Sequence, residues 1–318
     1  MTNTPSLPSA MIGIGAGLGS ALLFASLVGG NVLTLPLFIA SPLPLMAAGL
    51  GFGTTATGVG VATATLALLA GLGLPAALVS LGTSGIPALV LSALVGRAAL
   101  GADGRADWFP IGRIATIAAV LMAIATTIGA IAIGFDVAAT TRQVVAAFHE
   151  ALTAGGTPPA DLPDAMALEP FVRASVRLMP AFFPAFWTLV LMLDLALAAR
   201  IVRRAGRLER PWEDLAMIEI SPWAGLVFAA GFAGSFLTGS IGILAAVAAG
   251  AAFAPLFLVG MGLLTHLTRP TDMRWILRAT AYGLVLLFPV AALVMALAGL
   301  TECFLDLRRG RPGSGGDA

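Results

Sequence analysis

The chain of 318 residues is 58% apolar and 10% charged, whereas ordinary soluble domains are about 45 to 50% apolar and about 25% charged. Its 17 basic residues, all of them arginine, nearly balance 16 acidic residues, which excludes the strongly basic surface of a nucleic-acid-binding protein. A single cysteine, Cys303, excludes an internal disulfide and a cysteine-based metal cluster. This composition predicts a protein that lies in a lipid bilayer.

The first 96 residues contain no Asp, Glu, Lys, Arg or His. A bilayer core about 30 Å thick needs about 20 apolar residues per helix, so this charge-free N-terminal block, residues 1–96, is predicted to hold four transmembrane helices. Pro36, Pro42 and Pro44 are predicted to break the second helix, because proline lacks the N–H that continues a helix. We place the four spans over residues 11–29, 32–52, 54–72 and 76–95.

After residue 96, polar loops alternate with further apolar stretches. Residues 136–173 form the longest polar segment, and its first half has apolar residues at helical spacing, which predicts an amphipathic helix on the membrane surface. Residues 200–219 contain the densest group of arginines, and residues 306–318 form a polar tail that we expect to be disordered. Further spans are predicted over residues 114–135 and 178–199, two within residues 220–265, and one over residues 279–301.

The distribution of arginine predicts the orientation of the protein in the membrane. Loops rich in basic residues remain in the cytoplasm, so residues 97–113 and 200–219 are predicted to be cytoplasmic and residues 136–173 extracytoplasmic. Two basic segments near the C-terminus lie on either side of one span, so this rule does not assign the tail to one side. The sequence predicts a single membrane domain over residues 1–318, all-α and polytopic, with eight or nine transmembrane helices.

Uncharged polar side chains are concentrated near the broken second span. Pro42 and Pro44 disrupt the backbone there, and Thr54, Thr57 and Ser84 add hydroxyl groups in the adjacent spans. Hydrogen bonds between helices explain such residues in lipid. The alternative is a cavity for a small uncharged solute, because discontinuous helices mark the binding sites of transporters. In that alternative these five residues are substrate-binding candidates.

Asp194 is the one acidic residue well inside a predicted span. An acidic residue near the bilayer centre costs about 2.5 to 3.5 kcal/mol on insertion scales, which indicates a ligand-binding or proton-carrying role. The alternative is that Asp194 lies near enough to the interface to be hydrated or to pair with an arginine. The arginines that follow it are predicted to contact anionic lipid or a partner protein, and they are Arg200, Arg203, Arg204, Arg207 and Arg210.

The sequence contains no pattern typical of catalysis, metal binding or cofactor binding. The two histidines, His149 and His266, are far apart, so neither a metal site nor a catalytic triad is predicted. The glycine spacing in the first span does not match a dinucleotide-binding loop, which favours close helix packing instead. The glycines assigned to such packing are Gly13, Gly15, Gly17, Gly19, Gly49, Gly51, Gly53, Gly58 and Gly60.

Three segments together resemble a known family. They are the proline- and glycine-rich stretch Ser41–Gly53, the sequence Ile218-Glu-Ile-Ser-Pro-Trp223, and the ending Phe304-Leu-Asp-Leu-Arg-Arg309. With them, nearly the whole chain resembles the YybS-like family of predicted bacterial membrane proteins, a domain of unknown function numbered 2232. The N-terminal half of that family is similar to the substrate-binding membrane subunits of energy-coupling-factor vitamin transporters and to rod-shape proteins of the MreD type. The resemblance implies a multi-pass protein of the bacterial inner membrane and supplies no catalytic residues.

Three functions are compatible with these features. The first is a small-solute-binding transport subunit, in which the solute reaches a pocket near residues 42–65 and residues 136–173 act as a lid. Energy would come from partner ATPase subunits or from no energy source at all. The second is a non-catalytic scaffold of the cell envelope, whose arginine-rich loops contact lipid and other membrane proteins. The third is a lipid-modifying enzyme, which has the least support because Asp194 has no evident catalytic companion.

Overall fold

The computed structural model describes residues 7–30, 32–100, 106–155, 164–208, 210–211 and 214–305. The predicted disordered tail, residues 306–318, lies outside the described residues. One hairpin of strands β1 (Ala98–Leu100) and β2 (Ala106–Trp108) is present, and most other described residues are helical, which confirms the all-α class. The helices are α1 (Leu7–Ala25), α2 (Leu35–Ile39), α3 (Leu43–Phe52), α4 (Thr54–Leu72), α5 (Leu74–Ser80), α6 (Ile86–Val95), α7 (Ile111–Ala132), α8 (Val137–Ala154), α9 (Ala165–Arg204), α10 (Trp223–Gly234), α11 (Gly239–Thr268), α12 (Arg274–Leu287) and α13 (Pro289–Leu305).

Seven helical stretches in the described part of the chain are long and apolar enough to cross a membrane. The number is eight if the bent pair α12–α13 forms one span. Four of the seven come from the charge-free block, as predicted, and the other three are α7, α9 and α11. The protein is therefore a multi-pass membrane protein. The seven spans of the described part are fewer than either predicted count, and the lower count, eight, is reached only with α12–α13 as one span.

Residues 220–265 do not hold the two complete spans that were predicted. α10 has 12 residues, about 18 Å of helix, which is shorter than a bilayer core of about 30 Å. It begins only at Trp223, directly after Pro222, because proline disfavours helical backbone in the residue that precedes it. The hinge predicted at residues 238–240 is present, since Gly239 has a φ of 72°, a conformation that glycine adopts readily.

The last apolar run was predicted as one span over residues 279–301, but the structure bends it by 119° between α12 and α13. Pro289 has no N–H to continue α12, and Phe288 before it is extended, as a residue that precedes proline usually is. α13 packs closely against α11 at Gly299, where an added Cβ atom would clash with the Leu256 carbonyl oxygen. α12 has no buried residue.

The predicted sixth span is the middle of a much longer helix. α9 has 40 residues, about 60 Å of helix, and includes three prolines. Asp164 caps its start by accepting a hydrogen bond from the Met166 N–H. The polar segment 136–173 therefore contains both the beginning of α9 and the predicted amphipathic helix, which is α8 and packs against α9.

The second span is broken, as predicted. α2 ends at Ile39, the chain turns through residues 40–42, and α3 begins at Leu43 with Pro44 in its first turn. Proline suits the first turn of a helix because the N–H groups there have no intrahelical partner. The prolines therefore divide the span into a short helix and a longer one.

α1 and α4 approach closely through glycine. A Cβ atom on Gly13 or Gly17 would clash with a carbonyl oxygen of α4, that of Ala56 or Gly60 respectively. Small residues four positions apart give helices in lipid this close approach. Gly15 and Gly58 face open space, and Gly53 forms a turn with a φ of 87°. The predicted packing role is therefore confirmed for Gly13, Gly17, Gly49 and Gly60, each of which has no room for a Cβ atom.

Two arginine-containing loops meet at one end of the bundle. Arg210 Nη1 donates a hydrogen bond to the Phe109 carbonyl at 2.8 Å, which joins the loop after α9 to the loop before α7. Arg269, directly after α11, forms an ion pair with Asp214. The described parts of residues 97–113 and 200–219 therefore lie on the same side, as their arginine content predicted. We call this side the arginine-rich end, and the other side the opposite end.

Replacing Gly17 with alanine is expected to lower the free energy of unfolding by about 1 to 3 kcal/mol, because the added Cβ meets backbone that has no room to move. Gly15→Ala is the matched control, and it should be neutral or stabilising by up to about 1 kcal/mol, since alanine favours the helix. Thermal unfolding of the purified protein in detergent measures both. Equal effects of the two substitutions would contradict this packing.

Candidate functional site

The predicted polar residues near the broken span meet at a junction of irregular backbone. Ser20 of α1 donates a hydrogen bond to the Ser41 carbonyl at 2.7 Å, and the Ser41 and Ser84 hydroxyl oxygens lie 3.3 Å apart. Ser84 belongs to a π-helical turn, Leu81–Gly85, between α5 and α6. All three serines are fully buried. The two breaks in the charge-free block therefore pack against each other through hydroxyl groups.

Trp187 of α9 ties this junction to the centre of the bundle. Its indole N–H donates a hydrogen bond to the Thr83 carbonyl at 2.6 Å. Pro87, four residues after Thr83, has no N–H to donate to that carbonyl, so the indole supplies a donor. The ring also lies 5.2 Å from the Phe38 ring and stacks on Phe183. Trp187 was not predicted as a site residue, and its signal in the sequence is a tryptophan inside an apolar stretch, away from either end.

Thr57 lies in a second tight contact, between α3, α4 and α6. It is fully buried, and its hydroxyl oxygen has no hydrogen-bond partner among the described residues. A Cβ atom on Gly49 would clash with the hydroxyl oxygens of both Thr57 and Ser92. Gly49 therefore makes room for these two side chains where the helices are closest.

The five residues predicted to bind substrate have different surroundings. Pro42, Thr57 and Ser84 are buried, Pro44 is half-buried in the first turn of α3, and Thr54 is exposed at the start of α4. None of the five lines either of the two cavities described below. Helix packing, the alternative that the sequence left open, accounts for the positions of the buried residues.

Asp194 lies on the face of α9 that enters the main core. Its side chain is 2% exposed, and no described arginine pairs with it. Leu191 and Ala198, one turn away on either side, both belong to the central apolar cluster. No group of three or more His, Cys, Asp or Glu in the described ranges could hold a metal ion, so Asp194 is not part of one. Burying a carboxyl group without a partner costs free energy, and acidic residues inside membrane spans usually have a function, so Asp194 remains a candidate.

The five predicted arginines at the arginine-rich end fall into two groups. Arg200, Arg203, Arg204 and Arg207 are exposed, and the Arg207 guanidinium lies 4.3 Å from the centre of the Phe52 ring. Arg210 is 2% exposed and donates to the carbonyl groups of Val95, at the end of α6, and Phe109, in the loop before α7. Arg210 therefore joins two loops, and only the other four are open to lipid or to a partner.

A cleft at the opposite end was not predicted. It has a volume of about 210 Å³ and lies where the starts of α8 and α11 meet the first half of α9. Arg177 donates hydrogen bonds to the Ser235 and Phe236 carbonyls at 3.1 and 2.9 Å, and Arg173 pairs with Glu169. The lining of the cleft includes Asp136, Val137, Arg173, Arg177, Thr238 and Gly242.

The cleft lies across the membrane from the arginine-rich end. Arg177 and Arg204 are separated by about 40 Å along α9, which exceeds a bilayer core of about 30 Å. Two arginines four residues apart project from the same side of a helix. The spacing of Arg173 and Arg177 at the start of an apolar stretch is the signal from which this site could have been predicted.

A family model described as "Predicted membrane protein (DUF2232)" matches residues 20–302. The chain belongs to this family. The DUF2232 region contains the serine junction, Asp194, the cleft and the exposed arginines. No curated protein and no solved structure matches the chain. The resemblance drawn from the sequence is thus confirmed at the level of the family, while the similarity to energy-coupling-factor subunits and to MreD-type proteins stays a prediction.

Replacing Trp187 with phenylalanine should lower the free energy of unfolding by about 1 to 3 kcal/mol, because the buried Thr83 carbonyl loses this donor while an aromatic ring remains. Trp223→Phe is the control, since Trp223 is 72% exposed, and it should change stability by less than about 0.5 kcal/mol. Chemical or thermal unfolding in detergent compares the two. A Trp187→Phe protein as stable as the control would show that the indole bond contributes nothing.

Thr57→Val tests whether Thr57 has a packing role or a binding role. It should leave stability unchanged or raise it by about 1 kcal/mol, because it removes a buried hydroxyl group without a partner among the described residues. Unfolding and mass spectrometry of retained small molecules are measured on the same preparation. Loss of a retained solute from a stable variant would assign Thr57 to binding and contradict the packing role.

Proposed function

We propose that this protein is a small-solute-binding subunit of a membrane transporter, with its binding site in the cleft at the opposite end. The observation that carries the proposal is the cleft itself, a concave site walled by two arginines and the start of α11. Its volume of about 210 Å³ is below the roughly 300 to 1,000 Å³ of pockets for drug-sized ligands, which favours a small solute.

The position of the cleft supports access from the side opposite the arginine-rich end. Asp136 and Val137 precede and begin α8, and Arg173 lies near the start of α9, so both ends of the segment 136–173 contribute to the walls. That segment was predicted to act as a lid. In the proposed function it covers this cleft, in place of the pocket near residues 42–65.

The charges of the cleft support a solute that bears an acidic group. The described lining holds two arginines, Arg173 and Arg177, and one aspartate, Asp136. Arg173 also pairs with Glu169, and Arg177 bonds two backbone carbonyls. Each guanidinium group has five N–H donors, so both retain donors for a solute. The N-terminus of α11 adds backbone N–H groups and the positive end of the helix dipole. This solute class replaces the uncharged solute that the threonines and serines suggested.

Energy for transport comes from elsewhere in this proposal. The sequence contains no lysine, so it has no phosphate-binding loop of the type that ends in Gly-Lys-Ser or Gly-Lys-Thr. A partner ATPase subunit docks at the arginine-rich end, where Arg204 and Arg207 are exposed. In the inner membrane of a bacterium that end faces the cytoplasm, where ATP is present.

The test is native mass spectrometry of the protein purified gently from its own membrane. A retained small acid, lost from an Arg173→Gln/Arg177→Gln variant, is the expected result, because charge-assisted hydrogen bonds from both guanidinium groups hold it. Loss of two such bonds should weaken retention at least about 100-fold, at about 1.5 to 3 kcal/mol each. Arg142→Gln, an exposed arginine of α8 outside the cleft, is the control and should retain the solute.

Two outcomes contradict the proposal. A preparation that carries envelope proteins and lipid but never a small molecule would favour the scaffold function. Equal loss of solute in the Arg142→Gln control would place the binding outside the cleft.

A further inference from the structure

A groove runs along α9 at the arginine-rich end, remote from the proposed solute site. Its volume is about 210 Å³, and its described lining comprises Leu193, Ala196, Leu197, Ala199, Arg200 and Arg203. Leu193 and Leu197 are 55% and 38% exposed, so in a helix that spans the membrane they face lipid. The two arginines stand at the end of the helix, one turn beyond the leucines. One depression therefore combines an apolar floor with a cationic mouth.

The two arginines of the groove are free to bind an anion. Neither Arg200 nor Arg203 forms an ion pair or a hydrogen bond with a described residue, and no acidic residue is among the described lining. Residues three apart lie on the same side of a helix, so both guanidinium groups can reach one phosphate group. The neighbouring Arg204 is also exposed but does not line the groove.

We propose that this groove binds one anionic phospholipid. The guanidinium groups of Arg200 and Arg203 donate hydrogen bonds to the oxygens of the headgroup phosphate, and one acyl chain lies along Leu193 and Leu197. An anionic headgroup retains the full negative charge of its phosphate, whereas the choline of a zwitterionic lipid cancels it. A free phosphate ion would occupy the mouth alone and leave the apolar floor uncovered.

The experiment uses the full chain, delipidated in a neutral detergent and titrated with phosphatidylglycerol or with phosphatidylcholine of the same acyl chains. Native mass spectrometry measures the lipid bound, and thermal unfolding measures the stabilisation. We expect one molecule of phosphatidylglycerol per protein and a rise in melting temperature. Arg200→Gln/Arg203→Gln should weaken binding by about 30-fold, from about fivefold for each arginine near the membrane surface.

Two further variants separate the groove from general surface charge. Arg204→Gln removes the same charge one residue outside the lining and should change affinity by less than about twofold, because charges exposed to solvent are screened. Leu197→Trp retains both arginines but fills the floor, and it should abolish the saturable binding of phosphatidylglycerol. The melting temperature of each variant without lipid shows that it is folded.

Three results would overturn the proposal. If Arg204→Gln and Arg203→Gln weakened phosphatidylglycerol binding equally, the binding would depend on general surface charge and not on the groove. If phosphatidylcholine bound as tightly as phosphatidylglycerol, the arginines would not select an anionic headgroup. The same stabilisation by inorganic phosphate alone would show that the mouth binds an anion without a lipid chain.

Discussion

The backbone of a chain in a bilayer must satisfy its own polar groups, because no water is present to do so. This constraint governs the charge-free N-terminal block, where prolines interrupt the helices. The Ser41 carbonyl at the first break accepts from Ser20, and the Thr83 carbonyl at the second accepts from Trp187. Both donors come from other helices, so the two breaks must lie next to each other in the interior of the helix bundle. The packing of α1, α3, α6 and α9 follows from this requirement.

α9 connects this packing to the candidate functions. It carries Arg173 and Arg177 at one end, Asp194 within the core, and Arg200 and Arg203 at the other end. The length of α9 allows this, since about 60 Å of helix extends beyond a bilayer core of about 30 Å on both sides. Charged side chains can therefore project from a single helix at both membrane surfaces. The proposed solute site and the proposed lipid site therefore lie toward opposite ends of α9.

The sequence was sufficient to predict what depends on hydrophobic length and charge. It predicted the four spans of the first block and the break caused by prolines, because each depends on one segment alone. It also predicted that the loops around Arg97 and Arg210 share a side, because each loop is basic in its own sequence. It did not predict which glycines contact a neighbouring helix. Gly13 and Gly15 are both glycines of α1, but Gly13 faces α4 and Gly15 faces open space. Apolar composition alone gave no indication that α10 is too short to cross, because residues 220–265 carry no charge along their whole length and composition does not show where a helix begins and ends. The Trp187–Thr83 bond and the cleft join residues far apart in sequence, and only the folded chain brings them together.

Packing and hydrogen bonds explain the buried hydroxyl groups inside the membrane, but they do not explain the buried carboxyl group. Ser20, Ser41 and Ser84 are explained by the bonds they make, and Thr57 by the close contact around Gly49. Asp194 has no such explanation, because no described side chain pairs with it and its neighbours on α9 are apolar. A leucine would fill the same space without the cost of about 2.5 to 3.5 kcal/mol that an acidic residue carries at the bilayer centre. A structural role does not account for that cost. Asp194 lies on α9, the helix that also carries Arg173 and Arg177 of the cleft. Among the polar groups of the core, its carboxyl group is therefore the one that the proposed transport function best explains.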